Sequence, residues 1–162
     1  MQYPDDPKAL RNALGAFATG VTIVTARADD GEPVGFTANS FTSVSLDPPL
    51  LLVCLAHKAF SYGIFKKAES FAVNVLEAGQ EAIAMRFATQ GIDKFGSTDW
   101  TPGERGAPLI DGCLARFDCA MHQRVVAGDH DILMGQVVGF SRHEGSALVY
   151  HSGAFRRLPA TP

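Results

Sequence analysis

The stretch Gly35-Phe36-Thr37-Ala38-Asn39-Ser40-Phe41-Thr42-Ser43-Val44-Ser45-Leu46-Asp47-Pro48-Pro49 decides how this chain is read. Successive residues of a strand face opposite ways. A strand from Gly35 to Ser45 therefore puts Thr37, Asn39, Ser43 and Ser45 on one face, interrupted by Phe41. The other face carries Phe36, Ala38, Ser40, Thr42 and Val44. A row of hydroxyls and an amide beside short residues suits a planar heterocycle. Such a ligand needs close backbone approach, a few hydrogen-bond partners and room for its flat face. From composition alone, a solvated surface strand is an equal alternative. Asp47-Pro48-Pro49 ends the strand, because proline removes a ladder donor and restricts the residue before it.

Upstream, Asp5 and Asp6 before Pro7 signal a helix start, and Leu10, Leu14 and Phe17 recur near helical spacing, with Gly20 as the stop. Val21-Thr22-Ile23-Val24-Thr25 is β-branched throughout and reads as a strand, returned by the turn Asp29-Asp30-Gly31-Glu32-Pro33. Downstream, Leu50 to Ala56 is an apolar run expected to form a central strand buried on both faces. A short helix is expected over Ala59–Lys67 with Phe60, Ile64 and Phe65 on one side, then a strand over Ser70–Leu76. A second short helix spans Gln80–Thr89, with Ile83 and Phe87 four apart. Gly91 to Gly106 is polar and glycine-rich around Lys94, Phe95 and Trp100, a loop expected to pack over something. Strand patterns return over Cys113–Val126, Asp131–Phe140 and Ala147–His151, with a short end near Phe155. Ala127-Gly128-Asp129-His130 is the tight turn between the first two. Six or more strands, a few short helices and no internal repeat predict one domain over residues 1–162, mainly β, a small barrel with helical decoration.

Composition narrows the function. The 162 residues are 46% hydrophobic and 19% charged, enough to bury a proper core. A net charge of −3 offers no basic face for nucleic acid and no polybasic patch for an anionic membrane. The start, MQYPDDPKALRNAL, lacks the basic opening and apolar stretch of a secretory leader. The longest apolar run, Leu50 to Ala56, is too short to cross a bilayer as a helix, so the expected location is the cytoplasm. Cys54, Cys113 and Cys119 are odd in number, form no C-x-x-C pair and sit among apolar neighbours. They read as small hydrophobes, not as a disulfide or a zinc site. No G-x-G-x-x-G occurs, and neither a Ser-His-Asp set nor a carboxylate pair stands out.

Taken together, several pieces resemble the flavin reductase-like family, the FMN-binding split barrels that serve as reductase components of two-component monooxygenases. They are Thr19-Gly20-Val21-Thr22-Ile23-Val24-Thr25, Gly35 to Phe41 with Ser43-Val44-Ser45 and Pro48-Pro49, Arg86-Phe87-Ala88 and Asp93-Lys94-Phe95. Gly128-Asp129-His130 and the closing Tyr150-His151-Ser152-Gly153 with Arg156 follow in the family's order and complete nearly the whole chain. The resemblance implies a homodimeric split β-barrel of Greek-key type. The implied activity is NAD(P)H-dependent reduction of FMN or FAD, with NADH or NADPH as donor. The reduced flavin then goes to a partner monooxygenase.

By the same resemblance, Thr37, Asn39, Ser40, Ser43, Val44 and Ser45 contact the ring and ribityl parts of the flavin, and Cys54 and Ala56 lie beneath it. Lys58 and Ser61 match the phosphate-binding position, and a helix N-terminus there would present free N–H groups to an anion. Phe87 abuts the dimethylbenzene edge; a core phenylalanine is the equal alternative. His130 and Tyr150 belong to the nicotinamide side, although a histidine after Gly-Asp is by itself an ordinary surface or capping residue. No acid, base or metal ligand of the protein is required, since the cofactors carry the chemistry. Two rivals share the barrel: an oxidase like the pyridoxamine-phosphate oxidases, and a flavin- or haem-binding module without turnover.

Overall fold

The computed structural model describes residues 5–158, so the first four residues of the leader reading lie outside it. Helix α1 (Pro7–Leu14) starts where Asp6 Oδ1 accepts the N–H groups of Lys8 and Ala9 at 2.9 and 3.1 Å. It ends at Leu14, not at Gly20, which lies in strand β1 (Thr19–Gly20). The Gly15 carbonyl accepts the Ser152 N–H at 2.8 Å, which ties the helix end to the C-terminal strands. Leu10, Leu14 and Phe17 are exposed, so this helix buries nothing against its own chain.

The strand buried on both faces is β2 (Thr22–Arg27), not Leu50–Ala56. Ile23 packs into one core with Phe87 and Leu148, while Val24 and Ala26 pack into another with Val53, Phe71 and Leu133. Strand β5 (Pro49–Ala56) buries Leu51, Val53 and Leu55 but leaves Leu50, Leu52, Cys54 and Ala56 half-buried on its outer side. A second packing layer covers β2 and stops short of β5, which is why an unbroken apolar run is misleading here.

The main sheet is antiparallel and seven-stranded. Its order is β3 (Pro33–Ala38), β2, β6 (Ser70–Val75), β9 (Ala115–Ala127), β10 (His130–Arg142), β5 and β4 (Thr42–Leu46). Its two edge strands, β3 and β4, are consecutive in sequence. In a flat sheet they would lie about 29 Å apart, whereas the link Asn39–Phe41 spans at most about 14 Å. The sheet must therefore curl until its edges approach, although no ladder joins β3 to β4. Ser40 sits at this gap. Its hydroxyl accepts the Cys54 N–H at 2.8 Å and faces the Cys54 carbonyl at 3.4 Å, beyond Leu52 where the β4–β5 ladder stops.

The expected single strand over Gly35–Ser45 is thus overturned. It breaks at Asn39–Phe41, where Phe41 turns in to stack on Phe117 at 5.8 Å, and the β4 register shifts between Ser43 and Ser45. Thr37 and Asn39 do not share a continuous face with Ser43 and Ser45.

A second sheet pairs β1 with β11 (Leu148–His151) and β11 with β12 (Ala154–Arg157). Helix α2 (Tyr62–Phe65) is shorter than Ala59–Lys67, and Phe60 is exposed while Phe65 is buried. Helix α3 (Glu81–Ala88) buries Ala84 and Phe87. The Gly91–Gly106 stretch is not all loop: β7 (Trp100–Pro102) pairs with β8 (Pro108–Ile110). Buried Asn74 pins this hairpin, donating to the Ile23 carbonyl at 3.1 Å and accepting the Ile110 N–H at 2.8 Å. Nothing in the period-two pattern of β6 marks Asn74 for that task.

Candidate functional site

The end of β5, strand β3, the segment before α2, the end of α3 and the loop Gln90–Phe95 surround a cleft of about 760 Å³. Gly35 lines it, and the position admits no side chain. A Cβ there would lie 2.9 Å from Phe87 Cε1 and 3.0 Å from the Val24 carbonyl oxygen. Phe87 is 1% exposed and meets Phe95 edge-on at 5.0 Å, so it is both a core residue and a cleft wall.

Of the residues expected at the site, the cleft is lined by Thr37, Asn39, Ser40, Cys54, Ala56, Ser61, Phe87 and His130. Thr37 spends its hydroxyl on the Ala84 carbonyl at 2.6 Å, which holds β3 to α3. Ser43, Val44 and Ser45 are carried away from the cleft on β4, and Ser45 Oγ accepts the Asp47 N–H at 3.2 Å. Lys58 is exposed and outside the lining. Tyr150 lines a second cleft of about 630 Å³ with Met85 and Phe155. His130 and Tyr150 are therefore not brought together in this chain, because β11 belongs to the smaller sheet. The two clefts share Thr37, Asn39 and Ala88.

The loop expected to pack over something supplies Gly91 to Phe95 to the cleft, next to Gln90. The sequence motif Asp93-Lys94-Phe95 does not by itself mark Lys94 as a site residue. Lys94 Nζ donates to the Gly35 carbonyl at 3.1 Å and the Phe87 carbonyl at 2.8 Å, bolting the loop across β3 and α3. Burial lowers the Lys94 pKa.

At the far end, His130 Nδ1 meets Asp129 Oδ1 at 2.7 Å, leaving Nε2 as the free ring nitrogen. The His130 hydrogen bond holds the Asp129 carboxyl below its ordinary value. Behind this end, buried Asp131 receives His57 Nε2 on one oxygen at 2.8 Å and the Tyr62 hydroxyl on the other at 3.0 Å. The His57 hydrogen bond keeps Asp131 below the usual carboxylate range, while burial and the Asp131 carboxylate raise Tyr62.

Burial pushes the Cys113 and Cys119 thiols up to about 12, so both stay protonated and inert at neutral pH. Cys54 is half-buried in the cleft wall. Alkylation of the native protein is expected to modify Cys54 alone, and a ligand occupying the cleft should slow it. Mass spectrometry of the labelled peptides checks this.

The arrangement fits a flat aromatic ligand carrying an anion. The cleft lies within the usual 300–1,000 Å³ of small-molecule sites. One wall is backbone at Gly35, another is the Phe87 ring, and at the Ser61 end the N–H groups of Phe60 and Ser61 donate to no backbone carbonyl among the described residues. Among the described residues, no group of three His, Cys, Asp or Glu side chains is placed to hold a metal, and no helix is long and apolar enough to cross a membrane.

Residues 14–159 match the family model described as a flavin reductase like domain. The chain is 48% identical over 148 residues to the reductase component of the flavin-dependent trigonelline monooxygenase of Acinetobacter baylyi, covering 91% of this chain and 48% of that protein. It is 45% identical over 161 residues to an NADH-dependent FAD reductase of Streptomyces globisporus, covering 96% and 87%. A solved structure of the NADH:FAD oxidoreductase of Streptomyces globisporus C-1027, in complex with NAD and FAD fragments, superposes with a TM-score of 0.93 at 44% identity. That likeness covers 98% of this chain and 96% of the other. The chain spans about half the length of some of the curated relatives it matches. A family match over nearly the whole sequence, a shared fold and a cleft built where the motifs converge have one reading: the chain belongs to the flavin reductase-like domain family.

Proposed function

We propose that this chain is an NAD(P)H-dependent flavin reductase that reduces FMN or FAD and releases it to a monooxygenase component. The observation that carries the reading is the cleft in which the Gly35 backbone and the Phe87 ring form adjoining walls and His130 stands at one end. When both are bound, the nicotinamide and the flavin would themselves supply the hydride chemistry. The protein's own part is to bind and orient. The backbone at Gly35 and Ala56 would lie along a bound flavin ring, Asn39 and Ser40 would border its polar edge, Phe87 would close its apolar edge, and Ser61 would face the phosphate. Stacking two rings at reacting distance is worth more to the rate than any side-chain acid or base here. Relatives named for NADH, FAD and FMN support the cofactor assignment, with NADH the expected donor.

His130, with Nδ1 occupied by Asp129, offers Nε2 to the carboxamide or a phosphate of the dinucleotide. His130→Ala is expected to raise KM for NADH about tenfold, the loss of one hydrogen bond to a charged or polar ligand group. The affinity for flavin should stay unchanged in a fluorescence titration. Steady-state oxidation of NADH and NADPH with FMN, FAD and riboflavin in turn tests the proposal; no rate above the protein-free background for any pair ends it.

The domain is further proposed to be a split barrel of Greek-key type, with Ser40 at the split, that works as a homodimer in the cytoplasm. Curling of the sheet between β3 and β4 supports the barrel. An apolar strip on the outer side of the sheet supports the dimer: Leu52 of β5 pairs with Met134 of β10, and Cys54 pairs with Ile132, which meets Val125 of β9 on its other side. This strip runs into the cleft at Cys54, so a second copy packed on it would border the flavin site. The three cysteines stay free, as suits a reducing compartment.

A further inference from the structure

The segment from His57 to Tyr62, which leads from β5 into α2, lines the cleft through Ala59, Phe60 and Ser61. Both of its ends are held by one carboxylate. His57 Nε2 and the Tyr62 hydroxyl meet the two oxygens of Asp131, a residue more than sixty positions away on β10. The His57 N–H also donates to the Asp129 carbonyl at 2.9 Å. Within the clip the chain turns on itself, with the Ala59 N–H on the Ala56 carbonyl and the Tyr62 N–H on the Ala59 carbonyl. Among the described residues, the N–H groups of Lys58, Phe60 and Ser61 donate to no backbone carbonyl. The Ser61 side chain is buried at the cleft without a capping bond.

An exposed turn of this kind holds free donors in a fixed cluster only if something restrains it. Segments with few internal hydrogen bonds lie at the low-stability end of a fold. A carboxylate is an acceptor on both oxygens, and Asp131 stays ionised at neutral pH, so it can serve both donors at once. Tyr62 and His57 also lie ring to ring at 5.0 Å, which packs the two ends together. α2 is only four residues long and cannot define the turn by itself.

We infer that the His57–Asp131–Tyr62 clip is a positioning device that pre-shapes the Lys58–Ser61 turn for the phosphate of FMN or FAD, so that it sets preference for phosphorylated flavins over riboflavin. None of the three residues lines the cleft. The inference rests on the cleft being a flavin site, and it concerns binding, not the transfer of electrons.

The test is equilibrium binding of FMN and of riboflavin to the full chain, followed by quenching of flavin fluorescence. Asp131→Asn and His57→Ala are each expected to weaken FMN about tenfold, the loss of one well-placed charged contact, while riboflavin changes less than about twofold. His57→Gln keeps an N–H for the carboxylate and should restore most of the FMN affinity. Tyr62→Phe keeps the His57 contact and the packing, and should show the same selectivity at a smaller size. Equal losses for FMN and riboflavin, or no loss for either, overturn the inference. Wild-type protein that binds neither flavin overturns the functional reading instead, so the two failures are told apart.

Discussion

Phe87→Ala is expected to lower the folding free energy by about 3–5 kcal/mol and to weaken flavin binding in the same protein. Phe87 is 1% exposed and packs in one core with Val21, Ile23, Ile110 and Leu148. Its ring also leans edge-on against Phe95, which meets Trp100 at 6.0 Å, so the whole Gln90–Trp100 segment rests on it. Removing the ring leaves a cavity beneath that segment and loosens the cleft wall that Lys94 bolts in place. Denaturant unfolding gives the first effect, and flavin titration well below the unfolding midpoint gives the second. Domains of this size have only about 5–15 kcal/mol in total. Phe87→Leu, which keeps most of the volume, should recover most of the stability.

Gly35→Val approaches the same contact from the other side. Here a Cβ already falls within 3.0 Å of the Val24 carbonyl, which is backbone and cannot step aside. Lys94 donates to the Gly35 carbonyl, so any shift of β3 also disturbs the bolt. Overpacking of this kind costs about 1–3 kcal/mol. The larger expected result is a loss of flavin affinity of at least about tenfold, because the added methyls press on the Phe87 wall of the cleft. Gly35→Ala combined with Phe87→Leu should be less damaging than the sum of the two single changes, as neighbours in direct contact are not additive. A double-mutant cycle on the unfolding midpoint measures it.

Much of the architecture was legible in residue types. The β-branched Val21–Thr25 run, the helix start at Asp6-Pro7 and the Gly-Asp turn before β10 all lie where their chemistry places them. What period-two reasoning missed was the division of Gly35–Ser45 between opposite edges of one sheet. That division depends on the curl of all seven strands, and no local pattern encodes it. The consequence for the site is specific. Thr37, Asn39 and Ser40 reach the cleft on β3 and the link, while Ser43, Val44 and Ser45 leave it on β4. Ser40 shows a second limit: its hydroxyl replaces a missing ladder partner for Cys54, a role visible only once the gap in the sheet is seen. Lys94 and Asp131 carry no signal as site residues in isolation. Each gains meaning from partners far along the chain, the Gly35 carbonyl for one and His57 with Tyr62 for the other.

The most direct measurement is an anaerobic mixing experiment with purified protein, FMN or FAD and an excess of NADH. Flavin absorbance is expected to bleach in step with nicotinamide oxidation, one flavin for each NADH, far faster than in the same mixture without protein. Flavin that binds in the cleft, protects Cys54 from alkylation and yet stays oxidised in the presence of NADH and NADPH would contradict it, and would make this chain a flavin-holding module instead of a reductase.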